Sequence, residues 1–306
     1  MRTPDELQAE LEKRGLGAFA ALIFEHRQAC VRFSLEKAGE YDLFSHEVDD
    51  QTAVGSSKLG GYPDVPSGFV WPTGEDAVTR EGVALPFLAQ VRLADIARFD
   101  EGKALPQTGL LSFFFDFMYL SEQGWHVFYF EDETARLERR PAPSNIVAYN
   151  VLAHHVPGVE SPYHLHFRGG DSIPDATALE IEAPFQRIAT ENGITRQSDL
   201  YALMDAYNAL CFEGEAFPSH QLLGHEAIDY GRATAASWWM GLQNEALVGQ
   251  DAAEEDISKW RLLFQVDNDH RAGLEIGSGN GVIAFYIREE DLKRADFSNV
   301  FGTYLK

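Results

Sequence analysis

Two short apolar runs, each with one glutamine at its fourth position, recur along the chain. A leucine–glycine turn precedes each run, and a glycine followed by an aromatic run comes after it. The landmarks are residues 58–62, 87–91 and 109–115 in the first copy and residues 221–225, 262–266 and 281–287 in the second. Short apolar runs bounded by glycine are typical of β-strands. The same order of landmarks, found twice, predicts an internal duplication.

The remaining pattern predicts further strands and a few helices. Thr3, Pro4 and Glu6 form a capping sequence for an N-terminal helix, and apolar residues at helical spacing predict a helix at 197–212. Further strands are predicted at 30–35, 110–119, 125–130, 163–167 and 179–181, and short helices at 93–99 and 289–294. The fold class predicted is α+β, with mostly antiparallel sheets from two divergent internal repeats and peripheral helices.

We expect residues 1–306 to pack as a single compact unit, because no flexible linker or low-complexity segment separates the two copies. Within it, the landmarks predict four parts. These are an N-terminal helix and strand (1–50), a first repeat (51–150), a connecting segment (151–215) and a second repeat (216–306).

The chain is strongly acidic. It carries 25 basic and 48 acidic residues, a formal net charge of −23. Phosphate backbones and anionic membrane surfaces attract basic proteins, so we expect neither nucleic acid nor membrane as a partner. The favoured interpretation is a soluble protein kept dispersed by self-repulsion. The alternative is an acidic surface that binds a basic protein.

Cysteine usage and the N-terminal sequence predict a cytoplasmic location. Cys30 and Cys211 are the only cysteines and form no CxxC motif, which favours a reducing compartment. The chain shows no signal-peptide pattern at its N-terminus and no apolar run of membrane-spanning length.

Residues 274–281, with the sequence LEIGSGNG, look like the glycine-rich motif of Rossmann-type methyltransferases. That chemistry needs a helix after the glycines. Here an apolar, β-branched run follows, and Asn280–Gly281 is typical of a hairpin turn. We therefore favour a hairpin over a cofactor site and expect no cofactor.

Two patterns suggest metal binding without completing a ligand set. Asp267, Asn268 and Asp269 open like a calcium-binding loop, but Ala272 stands where such loops require glycine. His164 and His166 lie on one face of a predicted strand, as two metal ligands would. No cysteine or carboxylate at matching spacing accompanies them, so hydrogen-bonded surface histidines are the favoured interpretation.

Gln90 and Gln265 are polar residues in otherwise apolar strands, and a buried amide requires hydrogen-bond partners. In the structural interpretation, which we favour, each amide holds the glycine turn that precedes its strand. In the functional interpretation, the two amides face a shared cleft. No nucleophile elbow, HExxH pair or P-loop occurs, so no catalytic residue is predicted. The candidate binding residues are Lys58, Tyr62, Trp71, Gln90, His225, Gln265 and Asp267.

The combination of these motifs resembles the YwqG-like family, a bacterial family of uncharacterised function. The resemblance is carried by residues 58–63, 87–91, 109–114, 222–224, 263–267 and 285–292. It implies a largely antiparallel sheet with peripheral helices and no known reaction. Family members tend to carry Trp-Gly-Asp-x-Gly before the last strand. Here Ser278 replaces the acid, which argues against a carboxylate site shared with those relatives.

Two hypotheses for function follow. The first is a non-enzymatic, cytosolic binding or interaction protein, such as an acidic antagonist of a basic bacterial protein. The second is an enzyme or metal-dependent protein with a site in the cleft between the two repeats. The partner is an unknown protein or small molecule, and the sequence predicts no oligomeric state.

Overall fold

Ten of the described strands form one antiparallel sheet. The structure, a computed structural model, describes residues 3–42, 48–75, 82–116, 124–131, 136–143, 161–211, 219–226, 231–274, 276 and 281–305. The strands are β1 (Gln28–Lys37), β2 (Gly39–Tyr41), β3 (Val48–Asp50), β4 (Lys58–Leu59), β5 (Asp64–Pro66), β6 (Thr73–Glu75), β7 (Gly82–Ala84), β8 (Phe87–Arg92), β9 (Leu110–Phe115), β10 (Trp125–Phe130), β11 (Leu137–Arg139), β12 (Tyr163–Ser172), β13 (Gln221–Leu222), β14 (Trp260–Val266), β15 (Val282–Arg288) and β16 (Phe301–Leu305).

Two helices precede the first strand, and the other helices lie between strands along the chain. They are α1 (Pro4–Lys13), α2 (Ala20–His26), α3 (Leu93–Ile96), α4 (Glu182–Glu191), α5 (Gln197–Cys211), α6 (Gly231–Gln243), α7 (Glu254–Ile257) and α8 (Glu289–Lys293), with 3₁₀ turns at Gly17–Phe19 and Glu245–Leu247. Helix α1 begins with the predicted capping box, in which Thr3 and Glu6 exchange side-chain-to-backbone hydrogen bonds. None of the helices within the described ranges has the length and apolar character needed to cross a bilayer.

The strand order of the large sheet is symmetrical about its centre. It runs β10-β9-β8-β4-β12-β1-β13-β14-β15-β16. We call β4, β8, β9 and β10 the first half, and β13, β14, β15 and β16 the second half. Each half contains a short strand before a glycine turn, then a glutamine strand, then an aromatic strand. Strands β12 and β1 pair over their full lengths and separate the two halves.

The sheet curls until its edge strands approach each other. Trp125 on β10 donates a hydrogen bond from Nε1 to the Val300 carbonyl at 2.9 Å, and its ring lies 5.0 Å from that of Phe301 on β16. Inside, Phe113 of the first half stacks at 4.6 Å on Phe264 of the second and lies 5.0 Å from Phe285. The two halves therefore share one aromatic core.

Helices α1, α2, α4 and α5 contribute to a second core with its own apolar residues. Phe19 stacks on Phe185 at 4.5 Å, and Tyr207 meets Phe185 edge-on at 5.0 Å. Because each helix buries one apolar stripe, this layer forms separately from the aromatic core of the sheet.

Most of the predicted elements are present, with shifted ends. The predicted strand at 125–130 matches β10, and the helix at 197–212 matches α5. The strand predicted at 179–181 is wrong, because these residues form a turn that leads into α4. Helices α4 and α6 were not predicted, because Pro184 interrupts the sequence pattern of α4 and Gly231 and Gly241 interrupt that of α6. The far end of the strand predicted at 110–119 lies outside the described residues.

Candidate functional site

The two strand glutamines hold corresponding backbone positions. Gln90 pairs across the sheet with Lys58, and Gln265 pairs with Gln221. Nε2 of Gln90 donates to the Ser56 carbonyl at 2.7 Å. Nε2 of Gln265 donates to the carbonyl of residue 219, which is also a serine, at 2.6 Å. Both amides are fully buried, so each one ties down the segment before the glycine turn, as the structural interpretation requires.

The turns held by these amides also correspond. Gly60 and Leu223 both have left-handed φ angles, of 70° and 60°. The amide N of Gly60 donates to the Leu88 carbonyl at 2.8 Å, and that of Leu223 donates to the Leu263 carbonyl at 3.3 Å. The left-handed region costs a side-chain-bearing residue about 1–2 kcal/mol. The second-half turn therefore carries strain that the first-half turn avoids by using glycine.

Buried charges surround the first-half turn. The Lys58 ammonium lies 2.8 Å from Asp50 Oδ2 and 3.3 Å from Asp64 Oδ2. Nε of Arg139 donates to Asp64 Oδ1 at 2.9 Å, and Nε2 of Gln90 donates to Asp64 Oδ2 at 2.9 Å. Two cations and two carboxylates thus neutralise each other inside the fold, and their remaining hydrogen-bonding capacity is largely used.

Burial and pairing act in opposite directions on these groups. Burial lowers the pKa of the Lys58 ammonium, although the carboxylates of Asp64 and Asp50 favour its charged form. Burial alone would raise the pKa of Asp50, but hydrogen bonds from Lys58 and Thr52 outweigh it and lower that pKa. A Cβ added at Gly61 would lie 2.6 Å from Asp50 Oδ2. The charged network therefore packs directly against the first-half turn.

An uncharged side chain takes the place of Lys58 in the second half. Gln221 occupies the position of Lys58, and its Nε2 donates to the Leu223 and His225 carbonyls at 3.2 and 2.5 Å. Asp267 Oδ2 accepts from the amide of Ser219 at 3.0 Å. Burial raises the pKa of Asp267 despite its backbone hydrogen bonds. The second-half turn is thus held mainly by amide and backbone contacts.

His225 follows the second-half turn and connects it to the helical layer. Its Nε2 lies 2.7 Å from the His26 carbonyl and must be the donor, because a carbonyl only accepts. Burial lowers the pKa of His225 to about 4. The imidazole is therefore neutral at physiological pH, with Nδ1 facing Glu180 Oε1 at 3.8 Å.

An ion-pair network beside His225 joins α6 to β15 and to the turn before α4. Arg232 on α6 lies 2.9 Å from Glu180 Oε2 and 3.1 Å from Glu226 Oε1. Tyr286 on β15 donates its hydroxyl proton to Glu226 Oε2 at 2.6 Å. Burial would raise the pKa of Glu180, but Arg232 outweighs it and lowers the pKa. This network fixes α6 against the sheet.

A cavity of about 730 Å³ opens beside the second-half turn, and we call it the interhalf cleft. Its walls come from the loop after α3, the start of β1, the turn after β13, the start of β14 and helix α8 with its following residues. The lining residues are 28–29, 100, 102–106, 223–224, 261–262, 289, 292–293 and 295. Apolar side chains predominate, with a few charged groups, as is typical of ligand sites.

Backbone strain concentrates around the interhalf cleft. Among the described residues, three that are not glycine have a left-handed φ: Lys103 at 48°, Leu223 at 60° and Ala295 at 54°. All three line the cleft. Residues held in costly backbone conformations cluster at ligand and active sites, so this coincidence selects the cleft as the candidate site.

The charged groups of the cleft differ in the ion pairs and hydrogen bonds that they form. Glu289 binds Arg261 Nη2 through Oε2 and Lys293 Nζ through Oε1, both at 2.6 Å. Hydrogen bonds from Lys293 and Arg261 lower the pKa of Glu289. The Asp100 carboxylate accepts from the amides of residues 104 and 105 at 3.1 and 2.8 Å. Lys103 forms no ion pair with any described residue.

The sequence-predicted binding residues fall into separate places. Lys58 and Gln90 belong to the charged network of the first half, while Gln265 and Asp267 both hold Ser219 in the second. His225 lies next to the cleft-lining Gly224.

Tyr62 and Trp71 lie apart from the cleft. Tyr62 is half-buried, and Trp71 donates from Nε1 to the Leu85 carbonyl at 2.8 Å.

Sequence reasoning missed the cleft residues Lys103, Arg261 and Glu289. The i, i+4 spacing of Glu289 and Lys293 was the one local signal for part of this set.

The candidate metal residues make other contacts. His166 Nε2 lies 2.6 Å from Glu36 Oε2, and the rings of His164 and His166 are 6.5 Å apart. Asp269 Oδ1 accepts from the amides of residues 271 and 272 in a tight turn. Within the described ranges, no three His, Cys, Asp or Glu residues are grouped so that they could hold a metal ion.

The glycine string at 274–281 lies mostly outside the described residues. Strand β15 starts at Val282, where the methyltransferase pattern requires a helix. After these glycines the described chain therefore continues as a strand and not as the helix of that pattern.

Fold and site together define a mixed helix–strand protein with mostly antiparallel sheets and a cavity beside the turn after β13. The chain belongs to a family described as a domain of unknown function, DUF1963, whose model matches residues 57–304. The match includes both halves, whereas β1 at the centre of the sheet precedes it. No curated protein matches the chain.

Proposed function

We propose that the protein is a non-enzymatic binding protein whose ligand occupies the interhalf cleft. The observation that carries this proposal is the coincidence of the cleft with the three left-handed, non-glycine residues Lys103, Leu223 and Ala295. Strained backbone conformations persist only where the surrounding structure holds them, and they are common at ligand sites. The volume of the cleft falls within the range of about 300–1,000 Å³ common to small-molecule sites.

The polar groups of the cleft favour binding over catalysis. Both carboxylates in its lining, those of Asp100 and Glu289, already bond to backbone amides or to cations. The described lining contains no His, Cys, Ser or Tyr that could serve as nucleophile or general base. Such a set of groups can orient a ligand without transforming it.

We further propose that the halves descend from a duplicated unit, with repeats near 51–150 and 216–306 in a single compact chain. The matching glutamine bonds, left-handed turns and strand bulges at Leu88 and Leu263 support this. In this proposal Lys58, Gln90, Gln265 and Asp267 position the turns, and His225 borders the ligand. We place the chain in the YwqG-like group of bacterial proteins and in the cytoplasm.

Native mass spectrometry of gently purified protein tests the proposal. Ala29 lines the cleft, so Ala29→Trp should fill it and remove any retained ligand. Ala9→Trp, on the exposed side of α1, is the matched control and should keep the ligand. A ligand that survives Ala29→Trp would contradict the proposal. A stoichiometric metal found by elemental analysis would favour a metal-dependent protein instead.

A second candidate function is an acidic antagonist of a basic protein, favoured by the net charge of −23. Opposite charges steer such partners together, and salt weakens their attraction. A pull-down from the native host should then recover one basic protein, with binding that decreases as salt increases. Recovery of no basic partner at low salt removes this candidate.

A further inference from the structure

We propose that the interhalf cleft takes a small organic anion, with an apolar body and a carboxylate or phosphate group that binds Lys103. This inference rests on the proposed function and specifies its ligand class. Its three supports are the apolar walls, the excess of cations over acids in the lining, and the way the cleft already holds one carboxylate.

The apolar walls suit the body of the ligand. Leu105, Leu223, Leu262 and Leu292 are buried residues that line the cleft on several sides. Removing an apolar body from water against such walls is favourable in proportion to the area buried. Gly224 and Gly102 add backbone without side chains, which leaves room at the edge.

The cleft has a positive lining in a strongly negative protein. Its charged residues are three cations, Lys103, Arg261 and Lys293, and two acids, Asp100 and Glu289, a balance of +1, against −23 for the whole chain. Clefts with low-dielectric walls focus the field of their own charges. An anion is therefore attracted here, although the rest of the surface repels it.

The Glu289 carboxylate is an internal example of an anion bound by cations of this cleft. Arg261 and Lys293 each bind one of its oxygens at 2.6 Å. The guanidinium and ammonium groups keep further N–H donors beyond those two bonds. Lys103, which has no ion pair among the described residues, supplies the third cation. A ligand anion can thus bind Lys103 first and share donors of Arg261 and Lys293.

Titration calorimetry with octanoate, octyl phosphate and octanol at low salt tests the ligand class. The wild type should bind at least one anion, and bind octanol about tenfold more weakly. Lys103→Gln should weaken anion binding by about tenfold and leave octanol unchanged. Lys13→Gln, an exposed lysine in α1 away from the cleft, is the control and should bind like the wild type.

Glu289→Gln should increase anion affinity, a change that a misfolded variant would not show. It releases two cations from their internal partner, so anions should bind about tenfold more tightly. Unchanged or weaker anion binding by this variant contradicts the inference. Equal binding of octanol and the anions also overturns it, while leaving the cleft as a binding site. Absence of binding by all three probes overturns it too, and the retained ligand in native mass spectrometry then decides separately on the proposed function.

Discussion

The first half secures its glycine turn with buried charges, whereas the second half secures the corresponding turn mainly with amide and backbone contacts. Lys58 and Gln221 occupy the same strand position, each opposite a buried glutamine. Around Lys58, two carboxylates and an arginine fill the interior. Around Gln221, the bonds go to backbone carbonyls, and the turn beyond it lines the interhalf cleft. Corresponding strand positions can therefore be anchored by ion pairs in one half and by amide hydrogen bonds in the other.

The largest expected effect comes from Lys58→Met. It removes one cation from the buried network and leaves an excess carboxylate, so the free energy of unfolding should fall by about 3–5 kcal/mol. Gln221→Met is the matched change in the second half. It leaves two carbonyls without their amide donor, at a cost of about 1–3 kcal/mol. Denaturant unfolding of both variants at neutral pH measures the difference, and equal losses would contradict the contrast between charged and neutral anchors.

Acid should lower the free energy of unfolding through protonation of His225. Its pKa is about 4 in the folded protein and about 6.5 in the unfolded chain. Between these values the unfolded chain binds more protons, so stability falls as the pH drops from about 6.5 to about 4, by roughly 3 kcal/mol in total. Unfolding measured across this interval should show that loss superimposed on the titration of the carboxylates.

His225→Gln isolates the histidine contribution. The glutamine amide can still donate to the His26 carbonyl, but it does not titrate. The variant should therefore lose less stability than the wild type over the same pH interval, by roughly 3 kcal/mol. An identical pH slope in both proteins would show that burial of His225 does not govern the acid response.

The two glutamines should contribute independently, and Gln90 should contribute more because it also donates to Asp64. Gln90→Leu and Gln265→Leu each leave a buried serine carbonyl without its donor, at a cost of about 1–3 kcal/mol. The anchors lie on β8 and β14, five strands apart in the sheet order, so the double variant should show the sum. Thermal melts measure this, and two near-neutral single variants would refute the anchor role.

The smallest effect concerns the strain at the cleft. Ala295 has a φ of 54°, and glycine adopts that region without the steric cost. After its greater loss of entropy, Ala295→Gly should stabilise the protein by about 0.5–1 kcal/mol. Ala20→Gly, in helix α2, should destabilise the fold instead. Differential scanning calorimetry distinguishes the two signs, and a destabilised Ala295→Gly variant would show that the left-handed backbone is not strained.

Apolar patterning could predict the sheet because its strands are short, bounded by glycine and rich in aromatic residues. The turn anchors were predictable for the same reason, since a lone glutamine in an apolar strand must find partners. Helices α4 and α6 escaped prediction because tertiary packing, more than periodicity, stabilises them. Residues 179–181 resembled a strand locally but turn into α4.

The residues that line the interhalf cleft could not be predicted, because its walls come from segments far apart in the sequence. Lys103, Leu223 and Ala295 come together only when the sheet curls and α8 packs beside the loop after α3. Their left-handed φ angles have no sequence signal, since the residues are not glycine or asparagine. The charged residues around them looked like ordinary surface charge in an acidic chain.

NMR chemical-shift mapping with octanoate tests the contrast between the two halves most directly. The amides of Lys103, Leu223 and Gly224 line the cleft and should shift on saturation with the anion. The amides of Gly60 and Gly61, at the corresponding first-half turn, should stay in place because buried charges pack against that turn. Shifts of equal size at Gly60 and Gly61, or none at the cleft amides, would contradict the account.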